Sequence, residues 1–407
     1  MEQKYIKEAF DTNWVVPLGP NVNGFEKDLE EFCGQNKRVV ALSAGTAAVH
    51  LALIACGVKA GDEVCVQSFT FCASSHPITY LGATPVFIDS EKDTWNMDPE
   101  LLEEAIKDRI AKTGKKPKAI VPVALYGMPY NVDRIMEIAN RYDIPVVEDA
   151  AEGFGSRWKG QVLGTFGKYG VLSFNGNKMI TTSGGGALIT ANEEEWREIM
   201  MYATQYRESY PYYQHEKIGF NYRMSNICAG IGRGQMTVAN DHIAHHKHVQ
   251  ALYEQLLADV KGIHVHSQPE TLNLELGTRV YDSNYWLCTI TLDENVRIKG
   301  QENAYKTIVT GAVGGAAGVI HAASSAVTDC QPNDNVEALR VFMDAAGIEA
   351  RPVWKPMHKQ PVYKNSPAYV NGVSEAIFKV GMCLPAGPYV SDEDVRYIVS
   401  CIKDAIK

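Results

Sequence analysis

Apolar residues at helical spacing over 2–11 predict a first helix, and a loop carrying proline and glycine, NWVVPLGPNVNG, follows at 13–24. FEKDLEEF predicts a second helix over about 25–33 with its acidic residues outward. The next stretch, VVALSAGTAAVHLALIACG, reads as a short apolar strand, a small-residue turn and a helix ending at Gly57. Continuous apolar runs then recur as EVCVQS (63–68), TPVFID (84–89), KAIVPVAL (118–125) and IPVVED (144–149), with a helix through 133–142 before the last. Such strands alternating with helices predict a parallel sheet covered on both faces. Polar residues crowd the C-terminal ends of these strands, where open α/β sheets bind ligands.

Past residue 240 the texture changes. DHIAHHKHVQALYEQLLADV predicts a long helix linking two domains, RVYDSNYWLCTITLDENV reads as strand and turn, and the last third alternates strands with helices. The division expected is a large domain over 1–240, with the N-terminal helix and an active-site loop, and a smaller C-terminal α/β domain over 241–407. The Gly-, Ala- and Ser-rich stretch 307–331 reads as a mobile loop or lid, or an insertion, and carries no chemistry.

Composition narrows the class. A chain of 407 residues with 45% hydrophobic and 21% charged residues has the balance of a globular enzyme of more than one core. A net charge of −9 repels phosphate backbones, so no nucleic-acid partner is expected, although a small anionic substrate needs only a local pocket of donors. The nine cysteines include no CxxC pair, which argues against a disulfide framework or a zinc site. The N-terminus lacks an apolar stretch of signal-peptide length and nothing later approaches a membrane span, so a cytoplasmic location is expected.

Three motifs carry chemistry. SAGTAA, at 43–48, lies between a strand and a helix, where small residues let backbone N–H groups approach an anion; a tight turn with no ligand is an equal reading. In VVEDAAEGFG, Asp149 ends a buried-looking strand, as an N-cap or as an acid that needs a partner. In VLSFNGNKMITTSGGGAL, Lys178 sits between a strand end and a glycine run with no charged neighbour in sequence. Apolar and small polar surroundings would favour the neutral, nucleophilic amine that Schiff-base formation with an aldehyde cofactor needs.

At these motifs, and through NWVVPLGPNVNGFEKDLEEF, SFTFCASSHPITYLGATPVFID, LYGMP, GFNYRMSNICAGIGRGQM, RPVWKPMHKQPVY and GMCLPAG, the chain resembles the fold-type I, aspartate-aminotransferase-like enzymes that use pyridoxal 5′-phosphate (PLP). Within them it resembles the DegT-type sugar aminotransferases. The spelling of SFNGNKMITTSGGG, WKPMH and EDAAEG is most similar to enzymes that aminate C4 of a UDP-linked 4-keto-6-deoxy-N-acetylhexosamine, the bacillosamine-pathway type.

The resemblance implies a large domain with a mostly parallel sheet between helices, L-glutamate as amino donor and a homodimer with shared active sites. It implies that Lys178 holds the cofactor and shuttles the proton, and that Asp149 pairs with the pyridine nitrogen. Ala44, Gly45, Thr46 and Ser173 would cradle the phosphate, and Phe71 would stack on the ring. Glu152 would face the cofactor's 3′-oxygen and the substrate, and Asn221 would reach the phosphate of the neighbouring subunit's cofactor. Asn13, Trp14, Arg223 and His358 are candidate substrate contacts; a buried anchor for Trp14, a structural histidine and a dimer-tying arginine are the alternatives. Where many relatives have His in VHLYG this chain has Ala124, which puts the sugar specificity in doubt. C3 amination is not separated from C4 by motif, and a non-catalytic PLP-binding regulator remains the other alternative. No metal site is expected: HIAHHKH, at 242–248, reads as a solvated helix face.

Overall fold

The computed structural model describes residues 1–273, 277–305 and 330–407; the predicted lid or insertion at 307–331 lies almost wholly outside them. The first helix is Glu2–Asp11. The second runs Pro20–Cys33, starting five residues before the expected position. Pro20 opens it because a first-turn residue needs no N–H partner and its locked φ suits the helix. This helix also corrects the expectation of an acidic face turned outward. Glu26 is buried, accepts the Ala41 N–H at 2.8 Å and pairs with Arg223.

Eight strands lie in the order Arg38–Leu42, Gly186–Thr190, Tyr169–Ser173, Val147–Asp149, Ala119–Val121, Glu63–Gln67, Thr84–Ile88 and Ala368–Tyr369. Two ladders of four are joined by the parallel bridges Ile120↔Val146 and Val123↔Asp149. Only Gly186–Thr190 runs against the others, so the sheet is mostly parallel, as the pattern predicts. The run KAIVPVAL yields a strand of three residues, because Pro122 has no N–H to continue the ladder.

Alternate residues of each strand enter different cores: Val39, Ala41, Cys65 and Val86 pack on one face, and Val40, Leu42, Val64 and Phe87 on the other. Two buried faces explain why these strands read as unbroken apolar runs. A third core draws on residues from Val249 onward, around the strands Ile263–Val265, Cys288–Leu292, Gly381–Leu384 and Arg351–Pro352. The C-terminal third also returns to the large sheet, where Ala368–Tyr369 pairs with Thr84–Ile88 and Trp286 and Val353 join the first core. No helix among the described residues is long and apolar enough to cross a membrane.

Candidate active site

The C-terminal ends of Arg38–Leu42, Val147–Asp149 and Tyr169–Ser173 open into a cavity of about 400 Å³. The single reversed strand explains how Lys178 reaches it. Ser173 pairs with Gly186 on the neighbouring strand, so residues 174–185 must double back above the sheet. Lys178 sits at that reversal, its N–H donating to the Asn175 carbonyl at 3.0 Å.

Asp149 is 5% exposed on the cavity floor. One carboxylate oxygen accepts the Ser74 hydroxyl at 2.6 Å and the other the Ala151 N–H at 3.1 Å. Burial raises its pKa above the usual carboxylate value, opposed by the Ser74 and Ala151 hydrogen bonds and the Lys178 charge. A buried carboxylate beside a cavity is placed to stabilise a cation there.

Glu152 flanks Lys178 on one side, its carboxylate 3.6 Å from the Nζ. Its other oxygen accepts the N–H of Tyr126, whose φ of 53° turns that amide inward. Burial again raises the Glu152 pKa, and the Lys178 charge pulls against it. On a second side the Lys178 Nζ stands 3.9 Å from the centre of the Trp286 ring. The charged and aromatic partners thus come from outside the uncharged segment around Lys178.

The helix Gly45–Ala55 points its start at the cavity, with Ala44 as its first flanking residue and no side chain capping it. Its leading amides and partial positive charge suit an anion, and Thr46 and Ser173 line the same wall. Close approach requires the glycines: a Cβ on Gly186 would lie 2.4 Å from the Gly45 nitrogen, and one on Gly45 2.9 Å from the Ser173 Cβ. Phe71, half exposed, also lines the cavity, with its ring 5.5 Å from that of Trp354.

The structure thus brings together Ala44, Gly45, Thr46, Phe71, Asp149, Glu152, Ser173 and Lys178. Other candidates lie elsewhere in the chain. Arg223, named as a substrate contact, is buried against Glu26 and the Ala41 carbonyl at 3.0 Å, so its guanidinium is occupied internally. His358 bonds Ser68 Oγ at 2.6 Å through Nδ1 and Glu375 at 3.2 Å through Nε2, the structural reading of that histidine. Asn13, Trp14 and Asn221 are exposed and do not line this cavity. In HIAHHKH, His242 bonds the Met179 carbonyl, His246 the Tyr285 carbonyl and His248 the Asp392 carboxylate, so the face is not simply solvated. Ser74, Tyr126, Trp286 and Trp354 are not among the site residues expected from the sequence; RVYDSNYWLCTITLDENV reads there only as strand and turn.

The profile of the DegT/DnrJ/EryC1/StrS aminotransferase family matches residues 1–313 and 301–403. The chain belongs to that family. It is 40% identical over 405 residues to EpsN of Bacillus subtilis (strain 168), which carries the name of a pyridoxal phosphate-dependent aminotransferase, covering 98% of this chain and 92% of the relative. It is 32% identical over 405 residues to the GDP-perosamine synthase of Escherichia coli O157:H7, covering 99% and 95%. A crystal structure of a DegT/DnrJ/EryC1/StrS aminotransferase from Brucella abortus superposes with a TM-score of 0.82 at 27% identity, covering 99% and 94%. This aminotransferase is a PLP-dependent sugar aminotransferase of fold-type I. Its cavity fits the cofactor: an uncapped helix start for a phosphate, a buried carboxylate for a ring cation and one lysine for an aldehyde carbon.

Proposed function

We propose that this aminotransferase moves the amino group of L-glutamate to the C4 keto group of a UDP-linked 4-keto-6-deoxy-N-acetylhexosamine. The product would be a 4-amino-4,6-dideoxy sugar nucleotide for surface glycan synthesis. One observation carries the reading: the Lys178 Nζ lies 3.6 Å from the buried Glu152 carboxylate and 3.9 Å from the centre of the Trp286 ring, in a cavity that Asp149 and an anion cradle also line. The spelling of the Lys178, WKPMH and EDAAEG segments supports the UDP sugar and the C4 position.

PLP, when bound, supplies an electron sink for the carbon that loses its proton. Lys178 takes the α-proton from the donor, 2-oxoglutarate leaves, and Lys178 returns a proton to the keto carbon of the sugar. One general acid/base within reach of both carbons serves both halves. Asp149 keeps negative charge at the floor, where Ser74 and Ala151 fix its orientation. Glu152 holds the ammonium when Lys178 is released. Ala44, Gly45, Thr46 and Ser173 would hold the phosphate, and Phe71 would contact the ring. The Ala44–Ser173 cradle is completed, in this reading, by Asn221 of a second copy in a homodimer, with Asn13 and Trp14 reaching the sugar.

The test is incubation of the purified protein with L-glutamate and 4-keto or 3-keto sugar nucleotides, with NMR of the product. Amination at C4 of the UDP sugar is expected. An amine at C3 would overturn the position, and turnover of only GDP- or TDP-linked sugars would overturn the nucleotide.

A further inference from the structure

The Lys178 amine has two neighbours that arrive by one route. Asn284 donates its side-chain amide to the Glu152 and Phe154 carbonyls, each at 2.9 Å, and accepts the Trp286 N–H at 2.8 Å on its Oδ1. Its own N–H donates to Ser156 Oγ at 2.9 Å. Gly127, at φ +93°, leaves room for this side chain; a Cβ there would lie 1.8 Å from the Asn284 Oδ1. One buried amide therefore ties the loop carrying the carboxylate to the segment carrying the indole. The indole N–H of Trp286 donates to the Asn177 carbonyl at 2.6 Å, which fixes the ring against the turn that bears Lys178. The result is an ammonium 3.9 Å from the ring centre and 3.6 Å from a carboxylate, with Trp286 only 2% exposed. A cation over an aromatic face is held more strongly when both are withdrawn from water.

We propose that Trp286, with Glu152, forms a berth for the free Lys178 amine, and that Trp286 is a positioning residue for the proton transfers. Lys178 alternates in the reaction between covalent attachment and freedom, so this inference rests on the role of Lys178 proposed above. In the free state the indole face and the carboxylate hold the amine in place and aimed into the cavity. Without the ring the amine samples other rotamers and meets the substrate carbon less often.

The test uses the holoenzyme and the cofactor-free protein with Trp286→Leu and Trp286→Phe. Single turnover with L-glutamate is expected to slow about tenfold in Trp286→Leu with little change in half-saturation, and to recover in Trp286→Phe, which keeps the ring. In the cofactor-free protein, trinitrobenzenesulfonate labelling of Lys178, followed by peptide mapping, is expected to rise about tenfold in Trp286→Leu and stay near wild type in Trp286→Phe. Equal labelling and equal turnover in the Leu variant overturn the proposal, as does a Phe variant impaired as severely as the Leu variant. Trp286→Met takes the place of Leu should the latter fail to fold. Borohydride trapping of the cofactor on another lysine would instead overturn the role of Lys178, a separate failure.

Discussion

The Glu152 carboxylate stands 3.6 Å from the Lys178 ammonium, with side-chain exposures of 3% and 12%. Two such groups so far from water depend on each other, because removing one leaves the other charged and buried. Glu152→Gln keeps an oxygen for the Tyr126 N–H but removes the charge. It should leave the fold intact and slow turnover by about tenfold to a hundredfold, in the range of one buried charge-assisted contact of 1.5–3 kcal/mol. Glu152→Ala also strands the Tyr126 N–H and should lower stability by about 1–3 kcal/mol more. Thermal unfolding and single-turnover rates on both variants check this, and a Gln variant as active as wild type would remove Glu152 from the mechanism.

Lys178→Ala should fold normally and lose turnover by several orders of magnitude, since both proton transfers lose their amine. The wild-type protein should be yellow, and borohydride should fix the cofactor to the peptide containing Lys178. Mass mapping of the reduced protein reads this directly.

Asp149→Asn retains the shape of the floor and an acceptor for Ser74 but not the charge. A carboxylate beside a cation shifts its protonation equilibrium by about 1–3 pKa units, so the glutamate half-reaction should slow by about tenfold to a thousandfold while the phosphate cradle still retains cofactor. Stopped-flow absorbance with L-glutamate measures it. Unchanged rates would rule out the electron-sink partnership.

Much of this was legible in the sequence, and the exceptions have physical reasons. The strand runs are apolar throughout because both sheet faces are covered, and Lys178 stood out because no local charge explained it. Lys178's partners were not legible: Trp286 lies more than a hundred residues away in YWLCTI, and only the crossing of 283–286 over the 152–156 loop brings it near. Glu26 and Arg223 each looked exposed or substrate-facing alone, because each is tolerable inside only with the other. Pro122 shortened a strand that hydrophobicity alone extended.

His246 gives a pH prediction. Its Nδ1–H donates to the Tyr285 carbonyl next to Trp286, and burial, with His245 and His242 nearby, lowers its pKa from 6.5 to about 4. Above pH 6.5 it is neutral in folded and unfolded states alike. Between pH 6.5 and about 4 the unfolded state binds more protons, so stability falls as pH falls, by up to about 3 kcal/mol over the whole window. Buried His266, lowered to about 3, acts in the same direction. His246→Gln should flatten the drop in melting temperature between about pH 7 and about pH 5 in the cofactor-free protein. An unchanged slope would show that other groups carry the acid sensitivity.

The proposed dimer makes the sharpest prediction. Asn221 is exposed, held to Thr204 by a single bridge and outside its own chain's cavity. Apolar side chains stand exposed in the same chain without a cover, Ile218 at 86% and Leu18 at 53%. If Asn221 completes the phosphate site of a second copy, Asn221→Trp should release cofactor while leaving every residue around Lys178 in place. Lys178→Ala and Asn221→Trp chains, each inactive alone, should then complement each other. Half of the dimers formed on co-expression are mixed, and each mixed dimer has one site with an intact Lys178 from one chain and an intact Asn221 from the other, so about a quarter of wild-type activity should return. Co-expressed chains that stay inactive, or a monomer fully active at nanomolar concentration, would show that each chain builds its site alone.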